Sequence, residues 1–193
     1  MSRTTATTDR ASILIVDDLE DNLVALEAVL ASLDEPLVRA RSGEEAVRAL
    51  LREPFALILL DVRMPGMDGF ETAYRIKRLD RAKDIPIIFL NGPESDSGYA
   101  FRGYATGAAD FLTKPFDPWM LRAKVSVFLD LHRKNRQLER LAREQEHLGE
   151  ITDRLAAIED ELRGGAPAGL DSVGKQLSRI EETLDELRRG RGQ

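Results

Sequence analysis

Phe55-Ala-Leu-Ile-Leu-Leu-Asp61-Val-Arg-Met-Pro-Gly-Met-Asp-Gly69 is the stretch on which the fold turns. Phe55 to Leu60 are apolar without alternation, as in a strand buried on both faces at the centre of a parallel sheet. The run ends on an acid, Asp61. Met64-Pro-Gly-Met-Asp-Gly69 then has the Pro and Gly content of a turn.

Working outward, Ile13-Leu-Ile-Val16 reads as a strand and Leu23 to Leu33 as a helix. Leu37 to Ala40 is a short strand, and Gly43 to Arg52 a helix. After the central strand come a helix over Phe70 to Leu79 and a strand over Ile85 to Leu90. A helix over Ser97 to Thr106 and a short strand over Asp110 to Leu112 follow, and a further helix begins near Pro118. Strand–helix alternation with short connections means a parallel sheet covered by helices on both sides. Ligands in such sheets bind beyond the carboxyl ends of the strands.

Composition narrows the classes. The 193 residues are 42 % hydrophobic and 32 % charged, with a net charge of -6 and no cysteine. A sizeable core is affordable to a chain of this size. Disulfides, thiolate metal sites and cysteine nucleophiles are excluded. The acidic balance gives no general attraction to nucleic acid. No apolar run approaches the length of a membrane span. The expectation is a cytoplasmic protein with neither nucleic acid nor membrane as partner.

Three acids mark the same edge of the sheet. Asp17 and Asp18 follow the first strand and Asp61 follows the third. Carboxylates converging there repel one another unless a cation is present. Mg2+ suits them, because it takes oxygen ligands and leaves positions for water and phosphate. Lys114 follows the last strand and can neutralise an incoming phosphoryl oxygen. Singly, each acid would read as a solvated loop residue; together they form a cradle for phosphoryl transfer to a carboxylate.

Over residues 12–131 the chain resembles the receiver domain of two-component response regulators. The resemblance is carried by Ile13 to Asp18, by Leu59-Leu-Asp61-Val-Arg-Met-Pro-Gly-Met-Asp-Gly69, by Ile85 to Leu90, and by Gly107-Ala-Ala-Asp-Phe-Leu-Thr-Lys114-Pro-Phe116. It implies a flavodoxin-like, doubly wound five-stranded parallel sheet of order 2-1-3-4-5. It implies Asp61 as phosphoacceptor for a cognate histidine kinase. Asp17, Asp18, Asp61 and the backbone carbonyl of Arg63 would hold Mg2+, and Lys114 would contact the phosphoryl group through a cis Lys114–Pro115 turn. It further implies that the protein is no enzyme, beyond catalysing its own phosphorylation and dephosphorylation.

Two positions depart from the family pattern. Asn91, followed by Gly92, stands where Ser or Thr usually ends the fourth strand. Its amide can still donate to a phosphoryl oxygen, with Gly92 beside it. Phe111 stands where a Tyr or other ring often acts as switch, and it has no hydroxyl. Weakened coupling between phosphorylation and conformational change is the expectation.

The sequence after the receiver changes character. Residues 132–163 continue the last receiver helix, residues 164–169 are a Gly/Pro break, and residues 170–189 are a second amphipathic helix. Residues 1–11 read as a disordered tail. Apolar residues recur at three- and four-residue steps from Leu138 to Leu162 and from Leu170 to Leu187. Such a coiled-coil extension implies a homodimer, as a parallel pair or a hairpin bundle, with Asn135 and Gln145 near the seam. No basic stripe or DNA-binding pattern is present, so output to an unknown downstream protein is expected. Two alternatives stay open: a degenerate receiver serving as dimerisation or docking module, and a phosphorelay intermediate using His147.

Overall fold

The computed structural model describes residues 12–92, 107–163 and 169–191. Five parallel strands form one sheet: β1 Ile13–Val16, β2 Leu37–Ala40, β3 Leu57–Asp61, β4 Ile87–Asn91 and β5 Asp110–Thr113. Their order is β2-β1-β3-β4-β5, the flavodoxin-like order. The helices are α1 Glu20–Leu30, α2 Gly43–Arg52, α3 Gly69–Ile76, α4 Pro118–Arg163 and α5 Gly169–Arg191.

Side-chain alternation along the strands builds two cores. Leu14, Val16, Ile58, Leu60 and Phe89 face α2 and α3, where Ala46, Leu50, Phe70, Ala73 and Ile76 meet them. Ile13, Ile15, Leu57, Leu59 and Leu90 face α1 and the start of α4, against Leu23, Leu26, Leu121 and Val125. Both faces of β1, β3 and β4 are buried, which explains their unbroken apolar runs. Each such buried Leu, Ile or Phe contributes about 1.5–3 kcal/mol of transfer free energy.

Helix boundaries follow local chemistry. Ser42 caps α2 by accepting from the Glu45 N–H at 3.2 Å. Asp68 caps α3 by accepting from the Glu71 N–H at 2.7 Å. α1 starts at Glu20, before the first apolar position, because Glu20 and Asp21 suit its N-terminal dipole. α3 ends at Ile76, and Lys77 then donates to the carbonyls of Lys83 and Ile85. β4 begins after Pro86, which has no N–H for the ladder. The tail over residues 1–11, the helix expected over 97–106 and most of the Gly/Pro break lie outside the described residues.

The chain forms two compact units, divided after Arg133. In the second, α5 folds back antiparallel on α4. Ile151, Ile158 and Ile180 make a small core with Val173 beside it. Arg154 donates to the Arg179 carbonyl at 3.0 Å and to Thr183 Oγ1 at 2.9 Å. Of the two arrangements left open by the sequence, the hairpin is the one formed within a single chain. Asn135 and Gln145 are exposed, and His147 is half-buried.

Candidate functional site

The parallel register brings the chemistry to one edge. Val16 pairs with Leu60, so Asp17 and Asp61 emerge side by side from β1 and β3. Asn91 pairs with Thr113, so Lys114 leaves β5 at the same level. The Lys114 N–H donates to the Asn91 carbonyl at 2.6 Å, and the Lys114–Pro115 peptide is cis.

Lys114 Nζ donates to Asp17 Oδ2 at 2.7 Å and to Asp61 Oδ1 at 2.6 Å. Both carboxylates are almost wholly buried. Asp61 Oδ2 accepts from the Arg63 N–H at 2.8 Å. Asp17 is more heavily engaged: the Leu19 N–H reaches Oδ1 at 3.0 Å, and Asn22 Nδ2 lies 2.9 and 3.0 Å from its two oxygens. Asn22 is the site residue that the sequence reading missed. Its signal was an amide on the first turn of α1, facing back at the strand end.

The electrostatics follow from two acids sharing one cation. Burial raises the Asp61 carboxyl above the usual carboxylate range. The Lys114 hydrogen bond and charge oppose that rise, while the Asp17 charge adds to it. For Lys114, burial alone would lower the ammonium. Its hydrogen bonds to Asp17 and Asp61, with both their charges, outweigh burial and hold it above the ordinary lysine value.

Asp17, Asp61 and Lys114 are thus brought together. Asp18 is half-buried, and among the described residues no three acidic or histidine side chains converge closely enough to hold a metal ion. Lys114 bridges Asp17 and Asp61, and Asp17 also accepts from Asn22. The donors nevertheless suit Mg2+. They are hard oxygens, and the buried pair carries two negative charges against one positive, leaving room for a divalent cation.

Asn91 is buried, and its Oδ1 has no hydrogen-bond partner. By strand alternation it points to the face of Phe89, not to that of Asp61. Phe111 stacks on Phe89 with ring centroids 5.1 Å apart. Gly92 lies under the Arg63 guanidinium: a Cβ there would stand 3.0 Å from Arg63 Cζ.

Gly69 is fixed by close approach. A Cβ at this position would lie 2.8 Å from the Val62 Cα and closer still to the Asp61 carbonyl oxygen. Its N–H donates to the Val62 carbonyl at 2.9 Å. α3 therefore begins in direct contact with the backbone of the acid.

The profile of the response regulator receiver domain matches residues 13–126. Response regulator PleD of Caulobacter vibrioides is 34 % identical over 179 residues, covering 93 % of this chain and 37 % of that protein. The cyclic di-GMP phosphodiesterase response regulator RpfG of Xanthomonas campestris is 31 % identical over 187 residues, covering 90 % of this chain and 49 % of that protein. The chain thus spans less than half the length of these relatives. A solved receiver domain, that of sensor histidine kinase PA1611 from Pseudomonas aeruginosa, has a magnesium ion coordinated in its active-site cleft. It is 29 % identical with a TM-score of 0.58, covering 63 % of this chain and 98 % of that one. The expectation that the protein is no enzyme is overturned by RpfG, a relative matched along almost the whole of this chain and named as a phosphodiesterase. Among the described residues, no helix is long and apolar enough to cross a membrane.

Proposed function

The chain belongs to the response regulator receiver family, and on that premise we propose that it is a phosphorylation switch whose acceptor is Asp61. The observation that carries this reading is the shared cation: Lys114 bridges Asp17 and Asp61 at the carboxyl ends of the parallel strands. In the transfer, an Asp61 oxygen bonds to phosphorus as the phosphorus–nitrogen bond of a kinase phosphohistidine breaks. The imidazole leaves with the electron pair.

Lys114 keeps Asp61 ionised for attack, and afterwards its ammonium lies beside the phosphoryl oxygens. The Arg63 N–H on Asp61 Oδ2 fixes the plane of the carboxylate. Asn91 and Gly92 stand at the end of β4 beside this edge; the Asn91 side chain lies on the face of Phe89, so its amide would serve a phosphoryl oxygen only with a shift of that strand end. Asp17, Asp18, Asp61 and the Arg63 carbonyl are the oxygens that would hold Mg2+. When bound, the ion neutralises charge on the transferring phosphoryl group.

One observation favours a weaker switch. Asn91, standing where the family pattern has Ser or Thr, is buried with its Oδ1 unpartnered. We place the protein in the cytoplasm with a histidine kinase as donor. Output runs through dimerising helices to a further protein, not DNA, a reading supported by the net charge of -6. Incubation with acetyl phosphate or beryllofluoride and Mg2+, with Asp61→Asn as control, tests the acceptor. Modification that persists in Asp61→Asn, or none in the parent chain, refutes it.

A further inference from the structure

We propose that the hairpin of α4 and α5 binds a second copy of itself through a face of leucines, closing a four-helix bundle. The proposal rests on the reading of these helices as a dimerising output and specifies its surface.

Each helix of the hairpin carries two apolar columns, and only one is used within the chain. On α4, Ile151 and Ile158 are buried against α5; on α5, Ile180 is buried in return. The second column stays open. Leu141, Leu148 and Leu155 on α4, and Leu177 and Leu184 on α5, are 40–51 % exposed. All five stand at seven-residue intervals within their helices.

Their offsets place them on one face. Leu148 and Leu155 lie three before and four after Ile151. Leu177 and Leu184 lie three before and four after Ile180. Equal offsets turn both columns about 50° in the same rotational sense from the isoleucines. On antiparallel helices that face each other, the same sense carries both columns to the same side of the hairpin. The outcome is a flat, two-column apolar face, not two stripes pointing apart.

The edge of α4 beyond the leucines also suits close approach. Ala142, Gln145, Gly149, Thr152 and Ala156 occupy it, without a charge among them. A solvated edge on a chain that is 32 % charged would not be expected to stay neutral over four turns.

A second copy is the occupant that the area supports. The exposed leucine surface comes to roughly 400 Å2 per hairpin, so roughly 800 Å2 across a symmetric pair. The small side chains beside it bring the pair to about 1,200 Å2, where stable interfaces begin. A face that is its own complement closes by a two-fold axis, the commonest symmetry of oligomers. A two-stranded coiled coil through α4 alone fits less well, because α5 already covers the isoleucine column that would share its seam.

The test is sedimentation equilibrium of the full chain at micromolar concentration. The parent chain is expected to dimerise, and Leu148→Gln with Leu184→Gln to weaken the dimer at least about a hundredfold at unchanged helical circular dichroism. Leu148→Met should retain it. A monomeric parent chain, or a dimer indifferent to the glutamines, overturns the proposal, as does a complex with a different protein that excludes self-association. Should the double variant lose helicity, Leu155→Gln alone decides by the same criterion. Beryllofluoride binding measured on the same samples separates the two readings. A monomer that still responds at Asp61 rejects the bundle alone, and a dimer with no response rejects the switch alone.

Discussion

Replacing Lys114 by methionine removes the one cation shared by two buried acids while keeping most of the side-chain volume. Asp17 and Asp61 have side chains only 1 % and 9 % exposed, and Lys114 is 24 % exposed. Removing one partner of a buried ion pair costs about 3–5 kcal/mol. The partial exposure of Lys114 puts the expected loss near the lower end, about 3 kcal/mol at pH 7.5, or roughly 12–15 °C in Tm for a unit of this size. Thermal unfolding followed by circular dichroism in EDTA measures it. The pH dependence is the sharper part. Asp61 already has a raised pKa in the folded state, so its ionised form costs stability above the carboxylate range and the cost vanishes as the pH falls. Without Lys114 the penalty should therefore shrink between pH 7.5 and pH 4.5. In the parent, the raised Lys114 contributes throughout the neutral range and is lost only as the pH rises through its folded value, above that of an ordinary lysine. Asp61→Asn should rescue part of the Lys114→Met loss, since one buried acid is then gone. A loss below about 1 kcal/mol, or one that is flat with pH, would refute the shared-cation account.

Other outcomes follow from single contacts. Gly69→Ala should cost 3 kcal/mol or more by chemical denaturation, because the added carbon meets backbone atoms that cannot rotate away. Gly92→Ala should cost less than Gly69→Ala in the same assay, since the nearest atoms the added carbon meets belong to the long Arg63 side chain and not to backbone. Asn91→Thr should gain about 1 kcal/mol by removing the unpartnered buried Oδ1. It should also enlarge the beryllofluoride-induced change in tryptophan fluorescence from Trp119; an unchanged response counts against Asn91 as the weak link. Arg154→Ala should lose about 1–2 kcal/mol from the hairpin, read as earlier loss of helical signal, because two of its hydrogen bonds join α4 to α5.

The sheet was legible because its strands are buried on both faces. Ile13–Val16 and Leu37–Ala40 carry the same bounds in sequence and structure, since apolar runs and turn residues delimit them. Strand ends alone place Asp17, Asp61 and Lys114 on one edge. The helix ends were less legible, because capping at Asp68 and Lys77 depends on where a side chain points. Two features of the site escaped pattern reading altogether. Asn22 engages Asp17 across the first turn of α1, and Lys114 bridges Asp17 and Asp61 directly. Both are outcomes of competition among charges for few positions, which residue spacing does not encode. The hairpin was half legible: heptads announced two seams, but which column would be used inside the chain depended on how α5 folds back.

The contact at Gly69 has a mechanical consequence. With no side chain to act as a cushion, the first residue of α3 rests on the backbone carbonyl of Asp61. A displacement of that peptide by even a fraction of an ångström has no slack to be absorbed in and must be taken up by the whole helix. The acid and α3 thus move as one lever, and the smallest residue in the chain is its fulcrum.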